Sequence, residues 1–299
     1  MVYDSFIKNT LILKLGATGD VVRTTPLLRR LHGNVSWITA GKNLPLLGGL
    51  TDTLRSAAWE DRAKFCDREY DLVINLEDTL DAARFLQELK FRTLFGAYAT
   101  ANGDLTYTND SGEWFDMSLI SRFGIAAADR LKLENRRTYQ DLIFSGLGLQ
   151  FKGENYILPI PVKTDLRGDV AIAPKAGHVW PMKNWAYYGE LKNELEHKGL
   201  TVNVLPERSS LLEHLGDVKN HRCLVSGDSL PMHFALGLGV PSVTVFTCTS
   251  PWEIFGYNIQ KTITSPLLSE FFFKRNMDTR ATTAVPLSEV LAMVFAQLH

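Results

Sequence analysis

Three stretches of the chain put charged and hydroxyl side chains where an apolar run gives way to a polar turn and then to a helix-like pattern. In Leu11–Leu31, LILKLGATGDVVRTTPLLRRL, a buried strand ends at Leu15, Gly16 and Gly19 permit a tight turn, and Asp20 stands where the next helix begins. A carboxylate at the carboxyl end of a sheet can accept a proton from a substrate hydroxyl. Aspartate is also a preferred helix cap, so spacing alone leaves both roles open. In Val170–Leu191, VAIAPKAGHVWPMKNWAYYGEL, a strand feeds a loop with Lys175, His178 and Lys183 ahead of a helix starting near Trp185. Lysine charge beside helix N–H groups would hold an anion, although a solvated loop can have the same composition. In Cys223–Tyr257 a strand runs into Gly227, Asp228 and Ser229 before an apolar helix carrying His233. Ser229 and His233 are four residues apart and share a face if both are helical. A lone histidine on such a helix can equally be a satisfied core residue.

Other chemistries find less support. The turn Gly16, Ala17, Thr18, Gly19 is not G-x-G-x-x-G and no Gly-Lys-Ser/Thr follows it, which argues against a nicotinamide oxidoreductase or a P-loop. There is no Asp-x-Asp run, and Asp78 and Asp81 are placed for a solvated helix face. Cys66, Cys223 and Cys248 are widely spaced, lack C-x-x-C pairing and read as buried reduced thiols. No metal site is expected.

The elements that must position these residues alternate as parallel strands and crossover helices do. Strands are expected at Thr10–Leu15, Val35–Thr39 and Asp71–Leu76, with helices at Val21–Leu31 and Leu80–Leu89. Tyr156–Gly168 is aperiodic and proline-containing, a linker that sets a domain boundary near residue 165. Beyond it come strand Asp169–Ala173, helix Trp185–Lys198, strands Thr201–Leu205 and Arg222–Ser226, helix Leu230–Leu238 and strand Ser242–Phe246. An amphipathic helix over Pro286–His299 closes the chain. The fold class expected is α/β: two Rossmann-like domains, 1–165 and 166–299, with parallel sheets facing a central cleft.

Composition agrees with this. A chain of 299 residues with 45% hydrophobic and 22% charged residues is long enough for two cores. No apolar run approaches the ~18 residues of a membrane span. The N-terminus lacks a secretory signal, so a cytoplasmic location is expected. A net charge of -1 gives no footprint for nucleic acid and allows at most peripheral membrane contact. Phe271, Phe272 and Phe273, followed by Lys274 and Arg275, could touch a membrane or form a buried strand with a basic end.

Taken together and in order, the three stretches resemble glycosyltransferase family 9, the heptosyltransferases of lipopolysaccharide synthesis. Asp20, Val21, Thr24, Thr25, Pro26, Leu27 and Leu28 follow its opening motif, and Pro174, Ala176, Lys183 and Trp185 its middle loop. Asp228, Ser229, Pro231, His233, Ala235, Gly239, Pro241, Thr249, Ser250 and Pro251 follow its most distinctive run. The resemblance implies a GT-B fold, in which the last helix can pack back on the N-terminal domain. It also implies an inverting, metal-independent transfer, without cofactor, from a nucleotide-sugar donor, ADP-heptose, to an acceptor hydroxyl of lipopolysaccharide core or another surface glycan at the inner face of the membrane. Asp20 is then the catalytic base. Lys183, Ser229 and the amides around Leu230 take the donor diphosphate. Asp228, His233 and Glu207 complete the donor site, Glu207 toward the ribose, while Thr18, Gly19 and Arg23 meet the acceptor. Leu230 stands where the family has glycine, Thr247 and Cys248 where it has Gly-Pro, and the stretch between Glu207 and Arg222 is short. These departures keep open a same-fold enzyme using another nucleotide-sugar on a small molecule, or a non-catalytic sugar-nucleotide-binding protein.

Overall fold

The computed structural model describes residues 7–177 and 179–299. The chain divides into two compact units, Met1–Pro159 and Ile160–His299, so the break falls before the expected residue 165. The cause is local stitching of the linker to the second unit. The Val162 N–H donates to the Leu212 carbonyl at 3.2 Å, and Asn220 Nδ2 donates to the Thr164 and Leu166 carbonyls. Glycine is required at position 216 because a Cβ there would lie 2.1 Å from the Val162 carbonyl oxygen.

Among the described residues the first unit holds a six-stranded sheet: β1 Asn9–Leu13, β2 Asn34–Thr39, β3 Leu54–Ala58, β4 Glu69–Asn75, β5 Lys90–Ala99 and β6 Leu105–Tyr107. Their order is β3-β2-β1-β4-β5-β6, parallel except for the antiparallel β5–β6 pair. The centre is apolar on both faces, as a covered parallel sheet must be. Ile12 packs with Val21, Leu27 and Phe144 on one side, and Leu11 and Leu13 with Phe65 and Phe85 on the other. The helix expected over Val21–Leu31 is split. It runs as an α-helix over Thr18–Thr24 and tightens to a 3-10 turn over Thr25–Arg29, because Pro26 supplies no N–H to the α ladder.

The second unit holds a five-stranded parallel sheet: β7 Gly168–Ala173, β8 Val202–Val204, β9 His221–Gly227, β10 Ser242–Phe246 and β11 Gln260–Thr264, in the order β11-β10-β9-β7-β8. Helix Leu230–Leu238 and β10 have the bounds read from the sequence, with Gly239 in the left-handed region closing the helix at φ 72°. The last helix, Leu287–Leu298, packs on its own unit. Val290 and Val294 join Val225 and Val243 in the second core, and Gln297 Nε2 donates to the Ser242 and Ile259 carbonyls. Phe271 ends a short helix, Leu268–Phe271, in place of the strand considered, and both Phe271 and Phe272 are buried, which removes them from any membrane surface. Among the described residues no helix is long and apolar enough to cross a membrane.

Each strand order has one place where its direction of growth reverses. In the first unit this lies between β1 and β4, and in the second between β7 and β9. Ligands of open α/β sheets bind outside the carboxyl ends of strands at such a point. In each unit the segments that follow its two strands are therefore the place to look for ligand-binding residues.

Candidate active site

In the first unit, Lys14 and Leu15 follow β1 and Glu77 follows β4. The two adjacent strands bring Lys14 Nζ to 2.9 Å from Glu77 Oε1, and the same oxygen accepts the Leu15 N–H at 2.9 Å. Asn75 fixes the turn: its Oδ1 accepts the Glu77 N–H at 3.1 Å while its Nδ2 donates to the Ala97 carbonyl at 2.7 Å. Lys14 and Glu77 are only 9% and 8% exposed. Burial disfavours the Lys14 ammonium, but Asp20 and Glu77 outweigh it and raise its pKa above the ordinary lysine value.

Asp20 occupies the first turn of helix Thr18–Thr24. The capping position belongs to Ala17, whose side chain makes no cap, so Asp20 is not the helix cap. Its carboxylate lies 3.8 Å from Lys14 Nζ and 2.9 Å from an Arg23 guanidinium nitrogen, and its side chain stays 32% exposed. Arg23 is placed by aromatic rings, with its guanidinium carbon 4.1 Å from the Tyr139 ring centre and 5.5 Å from that of Trp114. Tyr139 is anchored in turn by its hydroxyl, 2.7 Å from the Thr24 hydroxyl. Arg23, expected at the acceptor, thus holds Asp20. Thr18 donates to Asn43 Oδ1 at 2.8 Å and ties the helix to the segment after β2, while Gly19 lies beside it in the same turn.

In the second unit, a 3-10 turn over Pro181–Lys183 sits against the carboxyl ends of β9 and β10. A Cβ on Gly227 would lie 2.6 Å from the Lys183 carbonyl oxygen, so only glycine lets β9 approach this closely. The Thr247 hydroxyl, after β10, donates to the Met182 carbonyl. The turn so clamped presents Lys183 Nζ 2.7 Å from the Asp228 carboxylate, with both side chains under a fifth exposed. Burial works against the Asp228 charge, yet Lys183, aided by His233, holds its carboxyl at about 2. His233 is buried on helix Leu230–Leu238. Ser229 does not share its helical face: its backbone is extended at φ -152°, and its hydroxyl donates to the Gly227 carbonyl at 3.3 Å. Leu230 is the first residue of the helix and partly exposed.

The structure gathers Asp20 and Arg23 in the first unit, and Lys183, Asp228, Ser229, Leu230 and His233 in the second. Glu207 joins neither group. It lies beyond β8 in a solvent-exposed ion pair with Lys175, 2.9 Å away, which lowers its pKa. His178 lies outside the described residues. Asp81 is exposed in the first turn of helix Leu80–Phe85, and among the described residues no cluster of His, Cys, Asp or Glu is suited to a metal. The cysteines are free thiols, Cys223 and Cys248 buried and Cys66 partly so. Lys14 and Glu77 were not singled out from the sequence. Their signal is a charged residue directly after each of two apolar strands, which acquires meaning only once β1 and β4 are known to be neighbours.

A cleft of about 590 Å³ lined by Lys8, Tyr70, Asp71, Lys90 and Arg92 opens at the amino ends of β1, β4 and β5, the opposite end of the sheet from Asp20.

Comparison with known proteins follows the same division. Residues 189–271, which include Asp228, Ser229 and His233 but neither Asp20 nor Lys183, match the family model described as glycosyltransferase family 9 (heptosyltransferase). No curated protein matches the chain. Among solved structures, a glycosyl transferase family 9 protein from Veillonella parvula is similar at TM-score 0.68 and 13% identity, over 100% of this chain and 98% of that one. The E. coli heptosyltransferase WaaC with ADP-2-deoxy-2-fluoro heptose is similar at 0.62 and 16%, over 97% and 100%. TibC from enterotoxigenic E. coli, an iron-containing dodecameric glycosyltransferase, is similar at 0.61 and 13%, over 100% and 79%. The chain thus carries a segment similar to glycosyltransferase family 9 over residues 189–271, and over nearly its whole length it has the GT-B fold of these glycosyltransferases.

Proposed function

We propose that the protein transfers a sugar, with inversion, from a nucleoside-diphosphate sugar to an acceptor hydroxyl without a metal ion in the step. The observation that carries this reading is the Lys183–Asp228 pair at the start of helix Leu230–Leu238. Pro231 has no N–H and the Met232 N–H bonds the Ser229 carbonyl at 3.1 Å, so the Ser229 and Leu230 amides are the donors this terminus offers a ligand. Lys183 and these amides take the charge that develops on the departing diphosphate, the part a metal ion plays in other transferases. Asp228, kept ionised, accepts hydrogen bonds from sugar or ribose hydroxyls, and buried His233 helps to hold its charge.

Asp20 takes the acceptor proton. A carboxylate is a weak base for an alcohol, so the proton moves late, as the hydroxyl acidifies on bonding to the anomeric carbon. Thr18 and Gly19 border the acceptor beside Asp20. Glu207 reaches a ribose only by leaving Lys175. The donor proposed is ADP-heptose, supported by the likeness in fold to WaaC with its bound ADP-heptose analogue, and the acceptor a hydroxyl of lipopolysaccharide core or another surface glycan. A thermal-shift panel of ADP, UDP, GDP and CDP tests the reading, since a ligand of the folded state raises the melting temperature by mass action. ADP is expected to give the largest rise. No rise with any of the four would overturn a nucleotide-sugar site.

A further inference from the structure

We propose that Lys14 and Glu77 are positioning residues for the transfer: Glu77 holds Lys14 at the carboxyl ends of β1 and β4, and Lys14 with Arg23 fixes the orientation and basicity of the Asp20 carboxylate. The inference rests on Asp20 being the base. The geometry is that of a relay. Glu77 Oε1 contacts Lys14 Nζ at 2.9 Å, the ammonium lies 3.8 Å from Asp20 Oδ2, and Arg23 meets the other Asp20 oxygen at 2.9 Å. Among the described residues, the charged and titratable groups seen to act on Asp20 include Lys14 just after β1, Arg23 from its own helix, Tyr139 from helix Tyr139–Gly146 and, through Lys14, Glu77 just after β4. Tyr139 is kept protonated by burial, which leaves two cations and two carboxylates in the group.

The balance matters for a base. Two cations on one carboxylate would make it too weak to take a proton from an alcohol, whereas Glu77 draws Lys14 back and offsets one of them. The Glu77 oxygen is itself fixed, because it also accepts the Leu15 N–H and its backbone is tied to Asn75. A buried ammonium and carboxylate at this depth would be a poor choice for stability alone, since a well-packed apolar pair can serve as well.

Substitutions at the two positions are therefore expected to move Asp20 in opposite directions, which a purely structural role would not do. The measurement is a carbon-13 NMR titration of the full chain labelled at aspartate carboxyls, with the Asp20 signal identified by its absence in Asp20→Asn. Glu77→Gln should lower the Asp20 midpoint, and Lys14→Met should raise it, each by about one pH unit, as expected for one charge at this distance from a partly exposed group. Lys14→Met leaves Glu77 buried without its partner, so the double variant Lys14→Met/Glu77→Gln, which buries no charge at either position, is measured beside it; there the two shifts oppose each other and the Asp20 midpoint should return toward that of the wild type. The acid limb of the kcat/KM profile should follow the NMR midpoint. An Asp20 midpoint that stays put in Glu77→Gln, or that falls as far in the double variant as in Glu77→Gln, overturns the proposal. A midpoint that moves as expected while the acid limb does not upholds the relay and overturns Asp20 as the base.

Discussion

The Lys183 ammonium lies 2.7 Å from the Asp228 carboxylate, and the contact depends on Gly227, whose Cα packs against the Lys183 carbonyl with no room for a Cβ. Gly227→Ala should displace the Pro181–Lys183 turn, because the atom it meets is backbone and cannot rotate away. Overpacking of this kind costs about 1–3 kcal/mol of stability. ADP affinity should fall by about tenfold or more with it, since Lys183 moves off the proposed diphosphate position. Calorimetry on the folded variant checks this, and unchanged ADP affinity would separate the turn from the donor site.

The same pair sets an acid sensitivity. Asp228 is held at about 2 against an ordinary value of 3.8. A depressed carboxyl contributes stability that is present above the unfolded value and is lost as pH falls from near 4 toward 2, about 2 kcal/mol at ~1.4 kcal/mol per pKa unit. The difference in urea-unfolding free energy between wild type and Asp228→Asn should therefore shrink across that window. A difference independent of pH would contradict the pairing.

Lys183→Ala should weaken ADP binding by about 10- to 100-fold, the size of a lost charge-assisted contact, and adenosine binding by much less. The comparison of the two ligands on one variant isolates the phosphate. Equal losses would remove Lys183 from the diphosphate.

Turnover should survive excess EDTA. On the proposed reading, Lys183 and the Ser229 and Leu230 amides supply the charge stabilisation that a divalent ion would otherwise provide. Loss of activity restored by Mg²⁺, Mn²⁺ or iron would replace this mechanism with a metal-assisted one.

The two parallel sheets and much of their helical crossing were legible in apolar runs such as LIL before Lys14 and SVTVF over β10. Helix Leu230–Leu238 was legible in its bounds because Ser229 and Gly239 punctuate it. Strands β3, LRSAA, β5, KFRTLFGAYA, β6, LTY, and β11, QKTIT, were not, since they lie at or next to the sheet edges, are partly exposed and show neither an apolar run nor clean alternation. Asp20, Lys183 and Asp228 could be picked out because each follows a strand of a recognisable pattern. The Lys14–Glu77 contact could not, because it depends on β4 pairing with β1 across the sheet. The face shared by Ser229 and His233 failed on one backbone angle, the extended φ of Ser229.

The central claim is that Asp20 takes the acceptor proton, and Asp20→Asn tests it most directly. Asp20 is a partly exposed carboxylate between Lys14 and Arg23 and does not cap its helix, so the amide should cost only about 1 kcal/mol of stability. Donor affinity should be nearly unchanged, because the diphosphate contacts proposed lie in the second unit. Removing a general base lowers rate by roughly 10²–10⁴. The measurement is the single-turnover rate of Asp20→Asn with donor saturating, alongside its melting temperature and ADP affinity on the same preparation. The account expects a folded, ADP-binding protein with that loss of rate. A near-wild-type rate, or a loss matched by unfolding, would contradict it.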